Sequence, residues 1–333
     1  MKRFYALVLA FAVFGFITGT VVVVQQLPFA ESKDVDVSAG QKVALGFIEN
    51  VLPIDTSRYN VSLVHSGKPF SFFKGSTAPN EDELLTYSLE SENNTLNVIC
   101  EIRNGVLTHA ALDNKKGGIL SDSQYSNITE AAVTFLQKYQ EFSGLNSNLL
   151  VDLLRGINPA ENVTLMSGNL KLEVKHADLT GTAFGDSVQF RWMQSFNGCD
   201  YRYVAMGFKD GFFSMIGDDR QVYSIGDTNV NISKEQAIVI ALNAIQNYSY
   251  RMSDDWVVDE FDVLENRIAA VLISQNKGGN ILYPSWTVTL PLNGTYPGSV
   301  TELLVIIWAG TGEVEMVHHQ AYAQLYPKTP VFA

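Results

Sequence analysis

Three stretches of the chain place apolar residues three and four positions apart behind a polar start. The first opens at Ser38-Ala39-Gly40-Gln41 and runs to Leu52. The second opens at Asn127-Ile128-Thr129-Glu130, and the third at Ser233-Lys234-Glu235-Gln236, running to about Asn247. Ala131, Ala132, Phe135, Leu136 and Tyr139 fall on one face of the second, as do Ala237, Ile238, Ala241, Leu242 and Ile245 in the third. That spacing is the period of an α-helix. Ser or Asn followed three residues later by Gln or Glu is a capping-box start, and Val37 and Ile232 stand where a hydrophobic staple would. Each stretch is predicted to be a helix.

Between them lie strand-like runs that meet at turns. Leu96 to Arg103 and Val106 to Leu112 flank Asn104-Gly105, and Tyr203 to Lys209 and Phe212 to Ile216 flank Asp210-Gly211. Asn-Gly and Asp-Gly supply the positive φ angles of two-residue hairpins. A third version runs from Leu303 to Trp308, through Ala309-Gly310-Thr311-Gly312, to Glu313–Val317. An aromatic strand with an Asn-containing turn recurs at Tyr87 to Asn94, Trp192 to Asn197-Gly198 and Trp286 to Asn293-Gly294. These aromatics read as core residues where helix meets sheet rather than as a ligand platform.

The turn glycines 105, 211 and 312 are separated by 106 and 101 residues, and the helix starts at 38, 127 and 233 by 89 and 106. The fold class expected is α+β: three tandem units, each an N-terminal helix packed on an antiparallel β-meander, after an N-terminal transmembrane or signal helix. The expected domains are residues 1–30 as signal peptide or anchor, 31–120 as unit 1, 121–228 as unit 2 and 229–333 as unit 3.

Lys2 and Arg3 precede an uncharged run, Phe4 to Val24, of 21 residues. As a helix it spans roughly 30 Å, the thickness of a bilayer core. The cations should stay inside, which predicts an extracytoplasmic chain, either held by a single-pass anchor through residues 4–24 or secreted after cleavage. Seven Asn-x-Ser/Thr sequons, at Asn60, Asn93, Asn127, Asn162, Asn231, Asn247 and Asn293, are candidate glycosylation sites. Cys100 and Cys199 are the two cysteines, either joined in one disulfide or buried as thiols.

Apolar residues make up 46% of the chain and aromatics 11%, which excludes wholesale disorder. Acidic residues outnumber Lys and Arg by 35 to 23, a net charge of −12 that argues against a nucleic-acid partner.

Ile232-Ser233-Lys234-Glu235-Gln236-Ala237, Trp286-Thr287-Val288 and Trp308-Ala309-Gly310-Thr311-Gly312-Glu313-Val314 together resemble a PepSY-type domain. Such a domain starts its helix S-x-E-x-A and ends in a strand reading D-A-x-T-G-E-V; here Trp308 replaces the Asp and Gly310 interrupts the spacing. Arg191 to Gly198, with Lys209-Asp210-Gly211, is similar to the propeptide modules of secreted metallopeptidases, which read R-x-x-Q-x-x-x-G and then D-G after an apolar strand. The resemblance covers units 2 and 3, and unit 1 by analogy. It implies a non-catalytic extracytoplasmic module that inhibits, chaperones or localises a partner, typically a peptidase. No His-Glu-x-x-His occurs, so the peptidase half is absent from this sequence.

The remaining chemistry is sparse. His65, His109, His176, His318 and His319 are scattered, and the last two, as strand neighbours, point to opposite faces and do not converge on one metal. Asp218-Asp219, Asp254-Asp255 and Glu81-Asp82-Glu83 read as solvated turn and loop acids. No Gly-x-Ser-x-Gly elbow or phosphate loop is present. No catalytic residue, cofactor or metal is therefore expected. The function expected is a binding or regulatory module that engages a protein or peptide partner through sheet edges or inter-unit grooves. Two other classes stay open: a structural component of the cell envelope, and an extracellular hydrolase whose carboxylate pair no sequence pattern reveals.

Overall fold

Local signals govern how each element begins. In the computed structural model, helix α1 (Ala39–Asn50) starts at Ser38, whose hydroxyl accepts from Gln41 N while the Gln41 side chain takes the Ser38 amide. Helix α4 (Lys234–Ile245) has the same reciprocal box between Ser233 and Gln236. Helix α2 (Ile128–Ser143) is capped by Asn127, which accepts from Glu130 N, and stops at Gly144 in the left-handed region. A fourth helix, α3 (Asn148–Leu154), follows directly. The structure describes residues 37–69, 82–120, 127–180, 185–253 and 256–321. From Ser38 onward they belong to one unit.

Sixteen strands occur among the described residues. Strands β1 (Asn60–Gly67), β2 (Glu83–Glu90), β3 (Thr95–Arg103) and β4 (Val106–Lys116) form a first meander. Strands β5 (Val163–Ser167), β6 (Leu170–Leu179), β7 (Gly185–Phe196), β8 (Cys199–Lys209) and β9 (Phe212–Asp218) form a second. The predicted hairpins are present: Asn104 and Gly105 take φ of 50° and 74°, Asp210 and Gly211 φ of 51° and 80°.

The two meanders are one sheet. His109, Ala110 and Ala111 of β4 pair with Gly217, Ile216 and Met215 of β9, giving nine strands in the order β1-β2-β3-β4-β9-β8-β7-β6-β5. Both helices sink into one core beneath it, where Phe47 of α1 meets Phe135 of α2 edge to face at 6.4 Å and Phe135 stacks on Phe213 of β9 at 4.4 Å.

The rest of the chain builds a smaller sheet. Strands β13 (Ala269–Asn276), β14 (Ile281–Tyr296), β15 (Val300–Trp308) and β16 (Val314–Ala321) are antiparallel neighbours in that order. Strand β10 (Ser224–Ile225) joins β14 in parallel. Helix α4 packs Ala237, Ala241 and Ile245 against Val288, Leu290, Leu303, Val305 and Ile307. A separate hairpin pairs β11 (Tyr250–Ser253) with β12 (Trp256–Val258).

Two expectations are corrected. The chain is mostly β, and it is not three helix-on-meander units. The outer strands of the first two meanders, β4 and β9, satisfy one another's edge groups, so those meanders share one sheet and one core. The expectation of a single-pass membrane anchor is corrected as well. Among the described residues no helix is long and apolar enough to cross a membrane. The longest, α2, has 16 residues, a rise of about 24 Å, and keeps Glu130, Lys138 and Glu141 on its polar side. Residues 4–24, on which that expectation rested, lie outside the described residues.

Candidate partner-binding surface

Strand alternation sorts the smaller sheet into two faces. One face meets α4. On the other, register sets Val271 of β13 beside Thr287, Ile306 and Met316 in a row across all four strands. Ala269, Thr289, Leu304 and His318 form the next row. Apolar side chains on this face stay in solvent: Val271 is 50% exposed, Met316 39% and Ile273 37%. A sheet with one covered face usually turns polar side chains to water, so apolar side chains exposed on the second face depart from that pattern.

Strand β13 is also an edge. Its sequence, AAVLISQN, has no charged residue and no proline, and its eight pairs with β14 run without a register shift. Among the described residues no strand pairs with its other side. Edge strands are commonly guarded by Lys, Pro or a bulge, and β13 has none of these. Leu272, from the opposite face, packs with Cys199 and Tyr201 of β8, which holds β13 in place. The edge β1 is different, because its register shifts between Leu63 and His65.

The sequence reading passed over 269–276, although a run of Val, Leu and Ile closed by Gly278-Gly279 is a strand signal. It also passed over α3. Trp192, at 0% exposure, and Tyr87, at 3%, are core residues. Trp286 donates its indole N–H to the Ile232 carbonyl at 2.8 Å and so ties β14 to the start of α4.

All seven sequon asparagines are exposed. Asn231 donates its side-chain nitrogen to the Gly310 carbonyl at 3.0 Å, and Asn293 to Asp262 at 2.8 Å. Cys100 and Cys199 are free, fully buried thiols in different apolar clusters. Burial pushes Cys100 up to about 12 and Cys199 up to about 11, so neither is a nucleophile at neutral pH.

His318 and His319 take alternate positions on β16, which predicts rings that point apart; instead the two rings stack with centroids 5.3 Å apart, and His319 Nδ1 meets the Tyr248 hydroxyl at 2.8 Å. His176 is held between the Ala160 carbonyl at 3.1 Å and Asp186 at 2.6 Å, so both ring nitrogens serve to pin the loop before β5. No group of three His, Cys, Asp or Glu side chains is placed to hold a metal among the described residues.

Asp218 is not a solvated turn acid. It is 3% exposed and makes a two-point pair with Arg220. Asp219 faces Arg202 across 3.8 Å, and burial raises its carboxyl to about 6 against the opposing pull of Arg202. Asp82 is buried and accepts from the Asn104 amide, and Glu83 accepts from Ser38 and Gly40 at the start of α1. Asp254, Asp255 and Glu81 lie outside the described residues.

Two open clefts accompany α2. One of about 660 Å³ lies between its first turn and residues 154–159, and one of about 290 Å³ lies between α2 and α3.

No protein-family model matches the chain, and no curated protein sequence does. A solved structure of the Bacillus megaterium YpeB C-terminal domain is similar at 13% identity and a TM-score of 0.31, over 87% of this chain and 100% of that one.

Proposed function

We propose that this chain is a non-catalytic binding module that takes up an extended segment of a protein partner as an added strand on β13. The observation that carries this reading is the uncharged, unbulged β13 edge bordering an exposed apolar face. A strand laid along that edge would gain main-chain hydrogen bonds, and its alternate side chains would extend the rows that contain Val271 and Ile273. The histidine–carboxylate contact at His176 is engaged in holding backbone, which supports a binding role over chemistry.

The test is selection of a random peptide display library on the immobilised full chain. The reading expects peptides with alternating apolar residues and no proline, whose binding Ile273→Lys abolishes. Selected peptides that bind Ile273→Lys as well as the parent would contradict it, as would recovery of no peptide.

A further inference from the structure

The larger sheet has a face that carries neither α1 nor α2, and one row of directly opposed residues crosses it at the β4–β9 seam. From β3 to β6 the row reads Glu101, His109, Gly217, Ala205, Arg191 and Glu173. Its middle has almost no side chain. A Cβ built on Gly217 would find one heavy atom within 4 Å, His109 Cδ2 at 3.8 Å. The floor is therefore Gly217 and Ala205, with the His109 ring for one wall and Arg191 at the other end.

Charges along the row are unevenly satisfied. Glu101 is taken by Arg103, with Nε–Oε1 at 2.6 Å. Glu173 is taken by Lys171 at 2.9 Å and approached by Lys175 at 3.7 Å. Among the described residues, neither the Arg191 nor the His109 side chain makes a hydrogen bond or an ion pair, although both are half-buried. Burial lowers the proton affinity of both, opposed by Glu173 at Arg191 and by Glu101 at His109. Two desolvated donors thus border an empty floor without an acceptor.

We propose that this seam is a carboxylate-binding notch, with Arg191 and His109 as the donors and Gly217 and Ala205 as the floor. Strands stand about 4.8 Å apart, so the two Cα atoms are about 14 Å apart. The His109 ring reaches the Gly217 position, and an arginine side chain is long enough to span the rest, with room for one small planar anion between them. The guanidinium fork matches a carboxylate in two-point geometry. One fixed cation, with Glu101 and Glu173 flanking the row, selects a monoanion over a phosphate dianion. The carboxylate comes from a peptide C-terminus or from an acidic side chain. The notch lies on the larger sheet and does not depend on β13.

The experiment follows the His109 imidazole signal of the full chain by NMR, assigned by its loss in His109→Gln. Three probes are titrated: acetylglycylglycine (terminal carboxylate only), acetylglutamate α-amide (side-chain carboxylate only) and acetylglycylglycinamide (no carboxylate). Saturable shifts are expected from at least one carboxylate probe, with a Kd of about 1–10 mM, and none from the amide. The probe that binds more tightly identifies the source. Arg191→Gln should weaken binding about tenfold or more. Gly217→Ala keeps both donors, fills the floor at a position without positive φ, and should weaken it as well. Equal shifts from the amide, no saturation by either carboxylate, or unchanged binding in a folded Gly217→Ala would overturn the proposal.

Discussion

Arg220 turns back on Asp218, two residues before it, and grips both carboxylate oxygens, Nε to Oδ1 at 2.9 Å and Nη2 to Oδ2 at 2.7 Å. The two side chains are 5% and 3% exposed. The remaining Nη1 donates to the Asn146 carbonyl at 2.9 Å, so the pair fastens the end of β9 to the link between α2 and α3. Removing one buried partner strands the other charge. Arg220→Ala should therefore cost about 3–5 kcal/mol, whereas the double change Asp218→Leu/Arg220→Met should cost clearly less than the single one. Urea unfolding of both variants checks the order.

Asp219, at the same turn, makes stability depend on pH. Its carboxyl is raised from 3.8 to about 6, chiefly by burial, so the native state holds the proton more tightly than the unfolded chain does. Its contribution is fully present below about pH 4 and is lost as pH rises through about 6. With the side chain 27% exposed, the loss should be about 1–2 kcal/mol. Urea midpoints at pH 4.5 and pH 7.5 should therefore differ between the parent and Asp219→Asn. A parent whose difference equals that of the variant would refute the assignment.

The two capping boxes are the same motif in different surroundings. Ser38 also donates its hydroxyl to Glu83 of β2 at 2.7 Å, whereas Ser233 donates to its own helix neighbour Glu235 at 3.0 Å. Ser233→Ala should cost about 1 kcal/mol, the usual value of an N-cap. Ser38→Ala should cost more, because Glu83 loses a tertiary partner along with the cap. Equal losses in thermal unfolding would show that the Glu83 contact adds nothing.

Thiol chemistry gives a direct count. Both cysteines are free and fully buried, with Cys100 and Cys199 raised to about 12 and about 11. Without reductant, a thiol reagent should react with neither in the folded chain and with both after denaturation. Two unreactive sites in denaturant would mean a disulfide instead.

How much of this was legible depends on the distance over which each signal acts. Ser38 with Gln41, Ser233 with Gln236, and the Asn104-Gly105 and Asp210-Gly211 turns are specified within four residues, and all stand where the sequence puts them. The seam is not local. Three residues of β4 meet three of β9 more than a hundred positions away, and nothing in His109-Ala110-Ala111 marks it as an interior strand rather than the end of a meander. The burial of Asp218 escaped for the same reason, since the Asn146 carbonyl beyond its partner Arg220 lies far off in sequence. Edge character at β13 depends on which strands fail to pair, a property of the finished sheet and not of Ala269–Asn276 itself.

Amide hydrogen exchange across residues 269–276, with and without a display-selected peptide, tests the β13 reading most directly. In the free chain, alternate amides of this strand should exchange quickly because their outward groups have no strand partner, and bound peptide should slow them selectively. Protection that appears elsewhere in the chain while β13 exchanges unchanged would contradict the account.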